Sequence, residues 1–183
     1  MKQHLLATLL FFSSFFTCLY SQTIDKLPFT EENPKYTIWN SIYTVEKIEY
    51  QLSHIVVTFK VTHQQTTTPT LYSIDSDNCW FLRDKKGRTY NLLAIKNVRL
   101  NGKLLHKHLL KTTTFEEDPK LKKNELTCEL YFERLPDEVE TVDLIEGAAN
   151  EGSMNAYHAY KIKVRPYPKF KKPMAIISQK VEF

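Results

Sequence analysis

Asn78-Cys79-Trp80-Phe81-Leu82-Arg83-Asp84-Lys85-Lys86-Gly87-Arg88-Thr89-Tyr90-Asn91-Leu92-Leu93 is the stretch that decides the fold class. Two apolar segments flank Asp84-Lys85-Lys86-Gly87. An aspartate side chain can open a turn, and a glycine supplies the positive φ that the turn then wants, so the run reads as a β-hairpin. On its first arm Cys79 and Phe81 share one face, while Trp80 and Leu82 share the other. Both faces are apolar, which fits a central strand covered on two sides rather than a binding platform.

Outward from this hairpin the same grammar repeats. Downstream, Asn101-Gly102 sits between Leu100 and Leu104, and Asn-Gly is the strongest short hairpin signal. Upstream, Val57, Phe59 and Val61 alternate with Thr58, Lys60 and Thr62 inside Ser53–His63, followed by a threonine-rich turn with Pro69. Before that, from Tyr36, come Ile42, Val45 and Ile48 among polar neighbours. Glu125–Arg134 alternates with Leu126, Cys128, Leu130 and Phe132 on one face, and stops at Leu135-Pro136-Asp137. Val139–Glu146 is a further strand ended by Gly147, and Tyr157–Val164 alternates again after a loop. Lys111–Lys123 is polar and irregular, and Lys103–Leu110 is open between extended chain and a helical turn. Turns every ~8–12 residues and no sustained 3.6 period predict an all-β sandwich of about 7–9 antiparallel strands.

The expected organisation is one β domain over 36–165 with polar flanks. Residues 22–35, with Pro28 and Pro34, read as an extended N-terminal arm. Residues 166–183 form a basic C-terminal segment whose last part, Met174–Phe183, could add an edge strand. Residues 1–21 read as a signal peptide: Lys2, an apolar run from Leu5 to Phe16, then Leu19-Tyr20-Ser21 ahead of Gln22. That run is too short for a transmembrane helix, and no later stretch approaches ~18 apolar residues. The expectation is therefore export to the periplasm or beyond, with no membrane span. Lipid anchoring through Cys18 is disfavoured, because Phe15-Phe16-Thr17 does not supply the small residues such a site needs. Without the leader the chain has 24 Lys+Arg, one fewer than the full 25, against 21 Asp+Glu, so the net charge falls from +4 to +3.

Composition removes whole classes of function. Four glycines in 183 residues are far below the ~7% average. Such a chain has no dinucleotide fingerprint or phosphate-cradling loop, and no cofactor is expected. Gly-x-Ser-x-Gly and His-Glu-x-x-His are both absent from the sequence. Asp75-Ser76-Asp77-Asn78 begins like a calcium loop, but the sixth and twelfth positions are Trp80 and Lys86 instead of Gly and Glu, so it reads as a polar turn. His106 and His108 would share one face of a strand, yet nothing brings a third ligand to them, with His63 a distant candidate, so no metal site is assigned. No catalytic residue is assigned either. A nucleophilic role for Cys79 or Cys128 would need an exposed, electropositive setting, and both lie in strands that read as core.

Export makes a disulfide between Cys79 and Cys128 possible, if both point inward from different strands; the alternative is two buried free thiols. The one charge feature above background is Lys161–Lys172, which holds six Lys/Arg and no acid: Lys161, Lys163, Arg165, Lys169, Lys171 and Lys172. With Tyr160, Tyr167 and Phe170 interleaved it could contact a polyanion, an anionic surface being a better fit than nucleic acid for an exported chain. The plainer reading is a solvated terminal segment. Trp39, Trp80 and the tyrosines could stack on sugar rings if exposed.

Three segments in order carry a family resemblance: Leu82-Arg83-Asp84-x-x-Gly87-x-x-Tyr90, Leu130-Tyr131-Phe132-Glu133-x-Leu135-Pro136, and Val142-Asp143-Leu144-Ile145-Glu146-Gly147. Over roughly Tyr43 to Val164 the chain resembles immunoglobulin-like β-sandwich domains of uncharacterised secreted proteins from Bacteroidetes. The resemblance implies a secreted binding or structural module and supplies no catalytic residues. The antibody-type hallmarks are missing, since Trp80 abuts Cys79 and Leu126 stands two residues before Cys128. The expectation is a non-catalytic module, most simply one that binds a protein partner at the cell envelope. A glycan-binding module and a small hydrolase with an unrecognised site are the alternatives.

Overall fold

The computed structural model describes residues 29–38, 42–63, 69–116, 118, 120–121, 123–148 and 156–165. Residues 1–21, expected as a leader, Trp39 and the segment beyond Arg165 lie outside the described residues. The fold is all-β and antiparallel, and no helix among the described residues is long and apolar enough to cross a membrane.

Among the described residues twelve strands run in chain order: β1 (Phe29–Glu32), β2 (Thr37–Ile38), β3 (Tyr43–Tyr50), β4 (His54–His63), β5 (Thr70–Leu71), β6 (Trp80–Asp84), β7 (Thr89–Leu100), β8 (Lys103–His108), β9 (Thr113–Thr114), β10 (Asn124–Glu133), β11 (Thr141–Glu146) and β12 (Ala159–Lys163). Ten of them form one hydrogen-bonded sheet, nine along the path β1-β3-β4-β10-β7-β6-β11-β12-β2 and the tenth, β8, branching off β7; β5 and β9 form a separate small pair. The branch at β7 shapes the molecule. Its first residues, Thr89–Asn91, pair with β6, while Lys96–Leu100 pair with β8. Along its other edge, Leu92–Leu100 pair with β10. One strand thus belongs to both halves of the sheet, which curls over a shared core, as happens where a strand passes between packed layers.

The core sits between those halves. Phe59 on β4 meets Trp80 on β6 with ring centroids 5.2 Å apart, and Tyr43 on β3 meets Tyr157 edge-on at 5.6 Å. Trp80, Phe59, Phe132, Ile55, Leu82 and Leu130 are among the largest fully buried side chains. Each such apolar side chain contributes about 1.5–3 kcal/mol by leaving water. Alternation is cleanest on β10, where Leu126, Cys128, Leu130 and Phe132 all point inward as the pattern predicts.

The two turns read from the sequence form as their residues dictate. Asp84 Oδ1 accepts the N–H of Lys86 (2.8 Å) and of Arg88 (3.0 Å), and Gly87 holds φ +79°. At the second turn Asn101 and Gly102 both have positive φ, +51° and +78°, and Leu100 pairs with Lys103. That is the two-residue geometry whose twist suits a hairpin. Lys103–His108 is accordingly strand rather than helix, because the tight turn delivers it directly onto β7. Phe29–Glu32, within the stretch expected as an extended arm, pairs with β3 as an edge strand.

Five register shifts occur in four of the described strand pairings, each with an extra residue in one strand; besides one on β7 opposite Tyr131–Phe132 and one on β8 opposite Val98–Arg99, three bear on the inward faces. Between Val45 and Lys47, β3 gains a residue against β4, so the inward set is Tyr43, Val45, Ile48 and Tyr50. β7 gains one opposite Thr127–Glu129, with Asn97 at φ +51°. β12 gains one opposite Val142–Leu144, with Lys161 at φ +54°. The last bulge overturns the expected faces of Tyr157–Val164. Tyr157, His158 and Ala159 are all buried, and strict alternation resumes only at Ile162.

Candidate functional site

The exposed candidate surface is the edge made by β8. Among the described residues β8 pairs only with β7, so its outer side offers unpaired backbone N–H and C=O groups. Leu104, Leu105 and Leu110 are 44%, 38% and 79% exposed along and just beyond it. Lys103, Lys107 and Lys111 are exposed too, and among the described residues none has an ion-pair partner. No Asp or Glu occurs anywhere from Lys85 to Phe115, a span that contains both β7 and β8. His106 lies edge-on to Phe115, ring centroids 6.0 Å apart, and His108 pairs across to Lys96. Among the described residues no group of three or more His, Cys, Asp or Glu is placed to hold a metal.

The expected basic contacts are only partly in view. Lys161 and Lys163 on β12 point to solvent on either side of buried Ile162. The N–H of Lys161 donates to Asp143 Oδ1 at 2.8 Å, which holds the bulge. Arg165 is engaged with the sheet edge: its Nε is 3.4 Å from Glu31 Oε2, and its N–H donates to the Tyr50 hydroxyl at 2.7 Å. Lys169, Lys171 and Lys172 lie outside the described residues. Trp80, weighed for sugar stacking, is fully buried.

The cysteines do not pair. Both are free thiols, Cys128 buried and Cys79 half-buried. The expected inward face of β6 is reversed: Trp80, Leu82 and Asp84 point in, and Cys79 has the parity of half-exposed Phe81 and Arg83. Burial pushes the Cys79 thiol up, helped by the carboxylates of Asp77 and Asp75, and pushes Cys128 up further, so neither is a ready thiolate. Mass spectrometry of non-reduced, unfolded protein is expected to find Cys79 and Cys128 both alkylated; a peptide pair linked through them would contradict the reversed face.

Two polar clusters were hidden from the sequence. At the β6–β7 turn, Asp84 is buried yet accepts four hydrogen bonds. Besides the two turn amides, Arg88 Nε approaches its Oδ2 at 2.7 Å and the Tyr90 hydroxyl at 3.0 Å. Burial alone would raise its pKa, but the Arg88, Tyr90 and Lys86 bonds outweigh it and hold the carboxyl at about 2. Arg88 also reaches Glu138 at 3.1 Å, so the open groove of roughly 120 Å³ between Lys86 and Thr141 is lined by charges that largely satisfy one another.

The second cluster is internal. Glu146 ends β11 and is 4% exposed, while His158 is fully buried. The N–H of Tyr157 donates to Glu146 Oε2 at 2.8 Å, and the N–H of Glu146 donates to His158 Nδ1 at 3.1 Å. Trp80 Nε1 donates to the Tyr157 carbonyl at 3.2 Å, and the Tyr43 hydroxyl donates to the His158 carbonyl. Burial raises the Glu146 carboxyl to about 7, against the opposing pull of the Tyr157 N–H. The carboxyl and the imidazole are each buried and each bonded to a backbone N–H, the Glu146 carboxyl to Tyr157 and the His158 ring to Glu146. The cluster ties residues 156–158 to β3, β6 and β11.

No family model, curated protein or solved structure matches the chain.

Proposed function

We propose that this chain is an exported, non-catalytic binding module of immunoglobulin-like β-sandwich form, and that its partner is a protein received along the β8 edge. The observation that carries this is a strand exposed at every residue but the half-buried His106, with adjacent leucines at its surface and one free hydrogen-bonding side among the described residues. Strand addition uses such an edge: backbone bonds supply affinity, and alternate side chains supply selectivity. The curled sheet with β7 in both halves supports the sandwich form. The reading of residues 1–21 as a leader supports export and a partner at the envelope. The burial of Glu146 and His158, each bonded to a backbone N–H, favours a structural role for both.

The test places a photo-crosslinking residue at Leu105 and, as a control, at the exposed turn residue Lys86, in the full chain incubated with envelope extract. Discrete protein adducts at position 105 and none at position 86 are expected. Equal labelling at both positions, or none at 105, would refute the assignment of the edge.

A further inference from the structure

We infer that the occupant of the β8 edge is an acidic, extended polypeptide segment that adds as the next strand; this rests on the binding-module reading above and names its partner by chemistry. Three features of the edge select that chemistry. First, among the described residues the outer side of β8 is an unpaired row of backbone donors and acceptors, interrupted by one extra residue at Leu105, which another polypeptide backbone can satisfy on either side of that bulge. A polysaccharide or lipid headgroup has no such repeat. Second, Lys103, Lys107 and Lys111 lack ion-pair partners among the described residues, and the whole Lys85–Phe115 span brings no carboxylate to neutralise them. Like charges directly opposite each other across paired strands are destabilising, and unlike charges stabilising. Third, Leu104 and Leu105 are exposed between the cations, so the complementary segment mixes carboxylates with β-branched or aliphatic residues.

The same lysines decide against a second copy of this chain. Lysine on an edge strand is a common guard against self-association, because an identical edge brings the same charge. β8 laid antiparallel on another β8 would set lysines near lysines and histidines, with no acid in either strand. The edge is thus closed to itself and open to an anionic strand, which is how selectivity arises when one arrangement penalises the wrong partner and favours the right one. Encounter should also be steered by the uncompensated charge and weaken with salt.

Fluorescence anisotropy on the full chain tests this with four probes: a nonapeptide alternating Glu and Val, its Lys/Val counterpart, the acidic peptide with a central proline, and a sulfated glycan. The acidic peptide is expected to bind at least about tenfold tighter than the basic and proline forms, and to weaken as salt rises. The double substitution Lys103→Glu/Lys107→Glu is expected to remove at least about tenfold of that affinity without lowering the melting temperature. The control Lys161→Glu/Lys163→Glu, on β12, is expected to leave it unchanged. Amide exchange over 103–108 should slow when the acidic peptide is bound. Equal binding of the basic peptide, loss of the preference for a proline-free backbone, or equal binding of the sulfated glycan would overturn the proposal. If adducts form at position 105 but the acidic peptide does not bind, the protein-binding reading stands and the acidic occupant falls. If no adducts form, both fall.

Discussion

Glu146→Gln is expected to stabilise the protein by about 3 kcal/mol at pH 8 and by almost nothing at pH 4. The folded carboxyl titrates near 7 against an ordinary value of 4.5, because burial disfavours its charged form. Below 4.5 both folded and unfolded chains carry the proton, and the site costs nothing. Between 4.5 and about 7 the unfolded chain gives up its proton while the folded chain keeps it, so stability falls by about 1.4 kcal/mol per pH unit. Above 7 the cost is constant. Glutamine is neutral throughout and still offers an oxygen to the N–H of Tyr157. The titratable neighbours are His158, on the segment leading into β12, and the Cys128 thiol on β10, whose own upward shift includes the Glu146 charge. Urea unfolding from pH 4 to 8.5 should show the variant and parent diverging through this window; parallel curves would refute the buried, protonated carboxyl.

Asp84→Ala is expected to destabilise by about 3 kcal/mol at neutral pH, with the midpoint in urea lowered and the slope unchanged. The substitution removes four hydrogen bonds at once and leaves the Tyr90 hydroxyl and two turn amides without their acceptor. Asp84→Asn should recover part of the loss, since it keeps an acceptor for the amides but not the charge that faces Arg88. The sign of the pH dependence is opposite to that of Glu146. Asp84 is held at about 2, below its ordinary 3.8, so its contribution is present above 3.8 and disappears as pH falls through about 2. A variant whose stability matches the parent at pH 7 would show that the turn is held by its glycine and backbone alone.

What the sequence disclosed, it disclosed through period and turn chemistry. β10 alternates without interruption and β4 does so from Val57 onward, and Asp84–Gly87 and Asn101–Gly102 carry their turns in their residue types. β3 was blurred for a physical reason: its bulge places Val45 and Ile48 three apart on one face, a spacing no regular strand has. The bulge at Lys161 likewise broke the alternation of the last strand, placing Tyr157 and Ala159 inside while Lys161 and Lys163 stay outside. On β6 both faces are apolar, so periodicity could not say which pointed inward, and the disulfide expectation fell with the wrong choice. The Glu146 cluster was invisible because its partners come from Tyr43, Trp80 and Tyr157, and only the folded sheet brings these together. The β8 edge was half legible: Asn101-Gly102 announced the hairpin, but only the sheet order reveals that, among the described residues, β8 has a partner on one side alone.

The pairing of β4 with β10 sets the order in which the molecule can assemble. Asn124 pairs with His63 and Glu133 with His54, separations of 61 and 79 residues along the chain. The β3–β4, β6–β7 and β7–β8 pairs are between consecutive strands and can form as soon as their turns close. β10 must then be inserted between two preformed hairpin systems, against β4 on one side and β7 on the other. Contacts so distant in sequence slow the search, and folding in the millisecond-to-second range is expected for such a topology. Until β10 arrives, β4 and β7 each expose a long apolar margin, so that a chain halted before residue 124 would be sticky rather than merely incomplete.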